Sequence, residues 1–325
     1  MSRKKLSLIV PLILMFLIQA LPAQAASKFN RVIFPVTVVD DSGYQFKMKK
    51  KPEKIISTMP GITEMLFSIK MGDKIVGVTD FCDYPEEAKK IQRIGKTKMN
   101  LEKVVSLEAD IIFMDGDAQQ KDIELFRKFN LPVFVLNPRT LDDLFITYNK
   151  MGIVTGNSHA AYRTTEWMMR KIRWIEAQSR QYTMKKTMEG TVEVTIWLKP
   201  VTAMVVVSKR PIVAAGEGTF IDDLLKIIGV KNVVGKGERY PRLGKEQILK
   251  LNPEAIIAVS GTYRRPEDVC RDGNFKHTSA GISKEALIID SDIISRPGPR
   301  LVTALDKIYK FIYNVTATEE ADEKD

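Results

Sequence analysis

The sequence predicts an α/β protein of two three-layer lobes with mostly parallel sheets, joined by one long rigid α-helix. Three observations predict it. Short apolar strands alternate with helices along most of the chain, the pattern of a parallel sheet covered on both faces. One motif occurs twice: Leu101-Glu102-Lys103-Val104-Val105-Ser106-Leu107 before Ile111-Ile112-Phe113, and Lys245-Glu246-Gln247-Ile248-Leu249-Lys250-Leu251 before Ala255-Ile256-Ile257. Between the copies, no glycine or proline interrupts the chain from Ser158 to Tyr182. Self-similarity at a domain-sized period means two related lobes rather than a solenoid. A second echo precedes each copy, Gly72-Asp73-Lys74-Ile75-Val76-Gly77 and Gly229-Val230-Lys231-Asn232-Val233-Val234-Gly235.

The N-terminus reads as an export signal. Arg3, Lys4 and Lys5 precede the apolar run Leu6 to Leu21, and Ala23-Gln24-Ala25 supplies a small-residue cleavage site. The run contains Pro11 and is shorter than the roughly 20 residues a spanning helix needs. Residues 1–25 are therefore expected to be removed, leaving a periplasmic protein. No cysteine stands near the site to carry a lipid.

Residues 26–152 are expected to form the first lobe. Val32–Val39 and Tyr44–Met48 alternate around Asp40-Asp41-Ser42-Gly43, a hairpin signature. Strands follow at Ile55–Thr58 and Ile75–Val78, with a helix Gly61–Met71 between them. Asp80 to Lys98 reads as a polar loop with one short helix. The first motif copy, a helix near Ala118–Phe129 and the strand Val133–Leu136 complete a strand–helix–strand series. Leu141–Met151 is helical, with Gly152 and Gly156 interrupting the pattern. Residues 153–185 are read as the joining helix, capped by Asn157 or Ser158, with Trp167, Met168, Ile172 and Ile175 as a core-packing stripe. Residues 186–315 form the second lobe. Its strands are Val192–Trp197, Ala203–Val207, Asn232–Val234, Ala255–Val259 and Ala286–Ile289, with helices near Phe220–Ile228, Glu246–Leu251 and Arg300–Tyr313. Residues 316–325, rich in Glu and Asp, read as a disordered tail.

Composition narrows the chemistry. The net charge of +10 comes from scattered lysines and arginines, a solvated basic surface rather than a nucleic-acid stripe. Two histidines, His159 and His277, are too few for a protein that captures bare zinc or manganese. Cys82 and Cys270 fall in different lobes and read as two buried thiols rather than a bond that would restrict a hinge. No nucleophile elbow, P-loop or His-Glu-x-x-His occurs. Asp142-Asp143 and Asp222-Asp223 open helices, where they complement the dipole. No catalytic residues, resident cofactor or metal site are expected.

The layout resembles the substrate-binding proteins of bacterial ABC importers, in the group whose lobes are joined by one helix and whose members capture cobalamin, ferric siderophores or haem. Four segments carry the resemblance, which spans about Thr37 to Ile312. Lys51-Pro52-Glu53-Lys54-Ile55-Ile56-Ser57 with Met59-Pro60-Gly61-Ile62-Thr63-Glu64 resembles the opening strand and cleft loop. Asp80-Phe81-Cys82-Asp83-Tyr84-Pro85 resembles a loop of the cobalamin-binding branch. Gly218-Thr219-Phe220-Ile221-Asp222-Asp223-Leu224 resembles the start of the second lobe's first helix, and Arg296-Pro297-Gly298-Pro299-Arg300-Leu301 the turn before the last helix.

The resemblance implies a monomer that delivers a corrinoid to an ABC permease dimer with its ATPase. It implies that Glu102 and Glu246 dock onto permease arginines. A glutamate in a first turn also simply complements the helix dipole, but its recurrence at a matching place favours a two-fold partner. It further implies that Pro60, Gly61, Phe81, Tyr240, Asp292 and Arg296 hold the ligand, with Trp197 added by its position at a strand end. Phe81 stands where a hydrogen-bonding Tyr is seen in a close relative. Arginines near these segments (Arg239, Arg242, Arg264, Arg265, Arg296) would instead suit an anionic iron chelate or haem. An exported tetrapyrrole-processing enzyme such as a chelatase, and a sensor or scaffold, are the rivals from other classes.

Overall fold

Two sheets carry the duplication. The computed structural model describes residues 32–189 and 192–315, with the side chains of 185–197 outside that description. The signal at 1–25 and the tail at 316–325 also lie outside it. In chain order the first sheet draws on β3 (Ile55–Ser57), β4 (Ile75–Val78), β5 (Ile111–Asp115) and β6 (Val133–Leu136), after a hairpin of β1 (Val36–Val39) and β2 (Gln45–Met48). Its helices are α1 (Pro60–Ser68), α2 (Leu101–Ser106), α3 (Gln120–Lys128) and α4 (Leu141–Thr155). The joining helix α5 (Ser158–Thr183) leads to a second hairpin, β7 (Met184–Glu189) with β8 (Val192–Trp197). Then come β9 (Thr202–Lys209), β10 (Ile212–Ala214), α6 (Phe220–Ile227), β11 (Lys231–Asn232), α7 (Lys245–Leu251) and β12 (Ala255–Val259). The short helices α8 (Pro266–Arg271) and α9 (Ser279–Ser283), strand β13 (Ala286–Ile289), and helices α10 (Ser291–Ser295) and α11 (Leu301–Tyr313) complete the chain.

The first sheet runs β4-β3-β5-β6, all parallel. The second runs β11-β9-β12-β13, also parallel, with β10 added antiparallel to β9. Each motif copy therefore supplies the helix before the third strand of an equivalent four-strand path. The upstream echo also corresponds: Ile75-Val76-Gly77 begins β4, and Lys231-Asn232 is β11, the strands at matching ends.

Neighbouring residues on these strands feed different cores. Ile56, Ile112, Met114 and Phe126 pack on the outer face of the first sheet. Met204, Val206, Ile256 and Phe275 do so for the second. The other faces share a single cluster: Ile55, Phe113 and Phe134 from one sheet, Val205 and Ile257 from the other, with Met168 and Ile175 of α5 between them. Strands buried on both faces read as unbroken apolar runs, which is why Val133–Leu136 and Ala255–Val259 match the expected bounds. A shared core also resists wide separation of the lobes, because apolar surface would enter water at roughly 25 cal/mol per Å².

The joining helix has 26 residues, about 39 Å at 1.5 Å per residue. Asn157 occupies its N-cap without capping it; the side-chain amide instead donates to the Ile69 carbonyl at 2.6 Å. At the far end Tyr182 stacks on Tyr313 of α11, ring centroids 4.5 Å apart. The expected stripe is partly corrected. Met168 and Ile175 are in the core and Ile172 packs against it partly buried, but Trp167 stays 39% exposed. The expected lobe boundary at 152 falls inside α4, which runs through Gly152 and ends where Gly156 takes a left-handed φ of 68°.

Cys82 and Cys270 are free and buried. Burial pushes both thiols up from their ordinary range. Native protein at pH 8 is therefore expected to leave both unreacted toward an aromatic disulfide reagent over minutes, with two equivalents released in denaturant. Immediate release from native protein would contradict the packing.

Candidate functional site

In open parallel sheets, ligand-binding loops gather at the carboxyl ends of the strands. The loops after β3, β4, β11 and β13 carry the expected ligand residues. Pro60 is the first residue of α1, where its missing N–H costs nothing. Phe81 follows β4, is 45% exposed, and has the Lys96 ammonium 5.7 Å from its ring centroid. Tyr240 lies in the loop after β11, also 45% exposed. Asp292 and Arg296 follow β13 and bind each other at 2.9 Å. Trp197 ends β8, and its side chain lies outside the described residues.

Gly61 is placed differently from the expectation of an open ligand contact. It is buried, and a Cβ there would lie 2.7 Å from Pro297 Cδ and 2.9 Å from the Pro297 carbonyl oxygen. The second lobe fills the space a ligand atom would need.

Arg296 is not a free cation either. Its guanidinium donates to Asp83 at 2.7 Å and to Glu64 at 3.3 Å, besides the contact with Asp292. Arg300 holds Glu64 through two bonds, Nε to Oε2 at 2.8 Å and Nη2 to Oε1 at 2.5 Å. Its guanidinium carbon lies 4.0 Å from the Tyr84 ring centroid, a stacked arrangement. Burial would push the Asp83 carboxyl up, but the Arg296 hydrogen bond and charge outweigh it and hold it below the usual carboxylate range. A hollow of about 320 Å³ lies beside this cluster, lined by Glu64, Phe67, Tyr84, Pro299 and Arg300 among others.

A second ionic cluster crosses between the lobes. Asp117, just past β5, accepts from Arg139 at 2.8 Å, Asn137 at 2.9 Å and Arg239 at 3.1 Å. Burial would raise the Asp117 carboxyl, and these donors together lower it. The second-lobe Asp223 carboxylate also accepts from the Leu141 backbone N–H at 2.9 Å, at the start of α4. Of the arginines expected to favour an anion, Arg296 is thus neutralised by carboxylates, Arg239 shares Asp117 with Arg139, and Arg265 pairs with Asp268 at 3.4 Å.

A broader depression of about 660 Å³ sits at the carboxyl ends of β9 and β12 and the start of α10, lined by Ser208, Arg210, Ser260, Thr262, Ser291 and Ser295 among others. No sequence signal marks it, because single hydroxyl residues at the ends of strands and in a five-residue helix make no pattern.

The two glutamates occupy matching places. Glu102 is the second residue of α2 after the N-cap Asn100, and Glu246 the second of α7 after the N-cap Gly244. Both are exposed. Among the described residues neither makes an ion pair, so both carboxylates are open to a partner.

Residues 55–293 match the family model described as periplasmic binding protein. The chain belongs to this family. It is similar to the uncharacterized ABC transporter substrate-binding lipoprotein YvrC of Bacillus subtilis, 28% identical over 90% of each chain. It is also similar to the vitamin B12-binding protein of Pectobacterium carotovorum, 24% identical over 79% of this chain and 87% of that one. Among solved structures it shares its fold with the periplasmic heme-binding protein RhuT of Roseiflexus sp. RS-1, at a TM-score of 0.67 and 19% identity, covering 81% of this chain and 98% of that one. This periplasmic binding protein is an ABC transporter substrate-binding protein, and its matches are transport proteins rather than enzymes. Such proteins bind a small molecule and work with a permease and an ATPase. No helix among its described residues is long and apolar enough to cross a membrane.

Proposed function

We propose that this protein captures a corrinoid between its lobes and delivers it to its permease. The observation that carries the reading is the pairing of Arg296 with Asp83, Glu64 and Asp292, and of Arg239 with Asp117, which it shares with Arg139. An anionic ligand would have to displace carboxylates already bonded to these guanidiniums. A corrinoid rich in neutral amides meets hydrogen-bonding edges instead, including the hydroxyls of Ser208, Ser260, Thr262 and Ser291. Phe81 and Tyr240 supply exposed rings for a flat macrocycle, and Pro60 borders the strand end after β3, whereas the backbone of Trp197 pairs with Met184 at the foot of the joining helix. The relationship to a vitamin B12-binding protein supports the same ligand. Export by cleavage after residue 25 belongs to this reading, as do lobes at 26–152 and 186–315 around the joining segment.

A titration tests it. Purified protein is mixed with cyanocobalamin, haem and a ferric siderophore, and binding is followed by calorimetry and visible absorbance. Saturable one-to-one binding of cobalamin is expected, at least tenfold tighter than either iron compound. The second reading, an anionic iron chelate, rests on Arg210 at the hydroxyl-lined depression. Preferential binding of haem or siderophore would establish it and remove the corrinoid.

A further inference from the structure

The turn Arg296-Pro297-Gly298-Pro299-Arg300 closes on the first lobe as a clasp. Its target is Glu64, which is 3% exposed in a helix whose neighbouring residues are Thr63, Met65 and Leu66, all buried. A carboxylate in such a place must be paired, because an isolated buried charge is strongly unfavourable. Both cations that pair with Glu64 come from the other lobe, 232 and 236 residues away in sequence. Among the described residues no first-lobe cation replaces them. The contacts around Glu64 have the same character. Gly61 leaves room for Pro297, Tyr84 faces Arg300, and Asp83 holds Arg296.

We propose that Glu64 is a positioning residue of the ligand cleft: it seats the second lobe on the first through Arg300 and fixes the orientation and effective charge of Arg296. The seating follows from the clasp alone. The effect on ligand choice rests on the corrinoid reading. With Glu64 in place, the pivot between the lobes lies at this point, and Arg296 meets a ligand already neutralised. Without the carboxylate, Arg300 loses its partner and Arg296 keeps only Asp83 and Asp292, so the clasp loosens.

The test compares full-length protein with Glu64→Gln, Arg300→Gln and Asp83→Asn, first without ligand. Loss of one partner of a buried pair is expected to lower the Tm by roughly 5–10 °C for Glu64→Gln. Hydrogen exchange should rise in segments 60–68 and 296–301 together, while β5 and β12 stay protected. Asp83→Asn, at the rim, should shift the Tm by less than about 2 °C. The double variant Glu64→Gln/Arg300→Gln should cost less than the sum of the singles, since both remove one interaction. If Glu64→Gln fails to fold, Arg300→Gln carries the exchange test. A wild-type Tm and exchange pattern in Glu64→Gln, or unchanged exchange in Arg300→Gln, would overturn the proposal. Binding is then measured: Glu64→Gln should weaken cyanocobalamin about tenfold and tighten iron protoporphyrin. If the wild type does not bind cobalamin, the corrinoid reading fails, and the ligand-free measurements still judge the clasp.

Discussion

Changing Glu102 and Glu246 together to alanine is expected to reduce transport to background in a system reconstituted with the cognate permease and ATPase. Cobalamin affinity should hold within about twofold. The two carboxylates sit at the same place in equivalent helices, α2 and α7, each second after the N-cap. Both are exposed, and no cation of this chain occupies either among the described residues. A carboxylate that accepts two guanidinium bonds is a strong and oriented contact. Truncating one partner of such an interfacial pair typically costs about 2–5 kcal/mol. Losing two at the low end weakens docking by roughly 10³, since each 1.4 kcal/mol is tenfold. Single variants should fall between, because one foot still stands on a two-fold partner. Glu124→Ala, an exposed position on α3, serves as the control and should transport normally. Undiminished transport by the double variant would remove the docking assignment. The ligand site would be untouched by that result, since neither glutamate lies among the cleft residues.

Gly61→Val is expected to open the clasp sterically. The first added carbon already meets Pro297 Cδ at 2.7 Å and its backbone oxygen at 2.9 Å. Real Cβ atoms do not tolerate such separations, and the backbone oxygen cannot rotate away, so the lobes must shift. Overpacking of this kind costs about 1–3 kcal/mol, a Tm loss of roughly 3–8 °C for a chain of this size. Because Gly61 adjoins Pro60 and Pro297 adjoins Arg296, ligand affinity should fall with stability, by about tenfold. Pro297→Gly in the same chain should restore part of the Tm, since it removes the ring carbons but leaves the carbonyl. A Gly61→Val protein with unchanged Tm and affinity would mean that the lobes are not seated on each other there.

Much of the fold is legible residue by residue. The strands Ile75–Val78, Val133–Leu136, Ala255–Val259 and Ala286–Ile289 match expectation, because each is a short apolar run bounded by turn residues. The long helix is legible because twenty-odd residues without glycine or proline leave few alternatives. Strand β7 escaped notice because Met184-Lys185-Lys186-Thr187-Met188-Glu189 is polar and directly continues the helix. Helices α8, α9 and α10 have five or six residues, too few for a 3.6-residue period to emerge.

The candidate site divides the same way. Glu102 and Glu246 are visible because the chain repeats itself around them. Glu64, Asp83, Asp117 and Arg300 are not, although Glu64 offered one signal, a charge inside the apolar stretch Ile62-Thr63-Glu64-Met65-Leu66. The arginines near the cleft segments, counted in sequence, suggested a positive cleft. The structure pairs three of the five with carboxylates, which weakens the case for the anionic alternative.

The sequence by itself determined the duplicated α/β architecture, the joining helix and the two symmetric glutamates. Those features rest on local periodicity and on repetition, and both are written in neighbouring residues. Only the tertiary structure decided the electrostatic character of the cleft and the point on which the lobes rest. Whether an arginine is a free cation or a neutralised one depends on which carboxylate lies within about 3 Å. For Arg300 that partner is 236 positions away on another lobe, a proximity that folding alone creates.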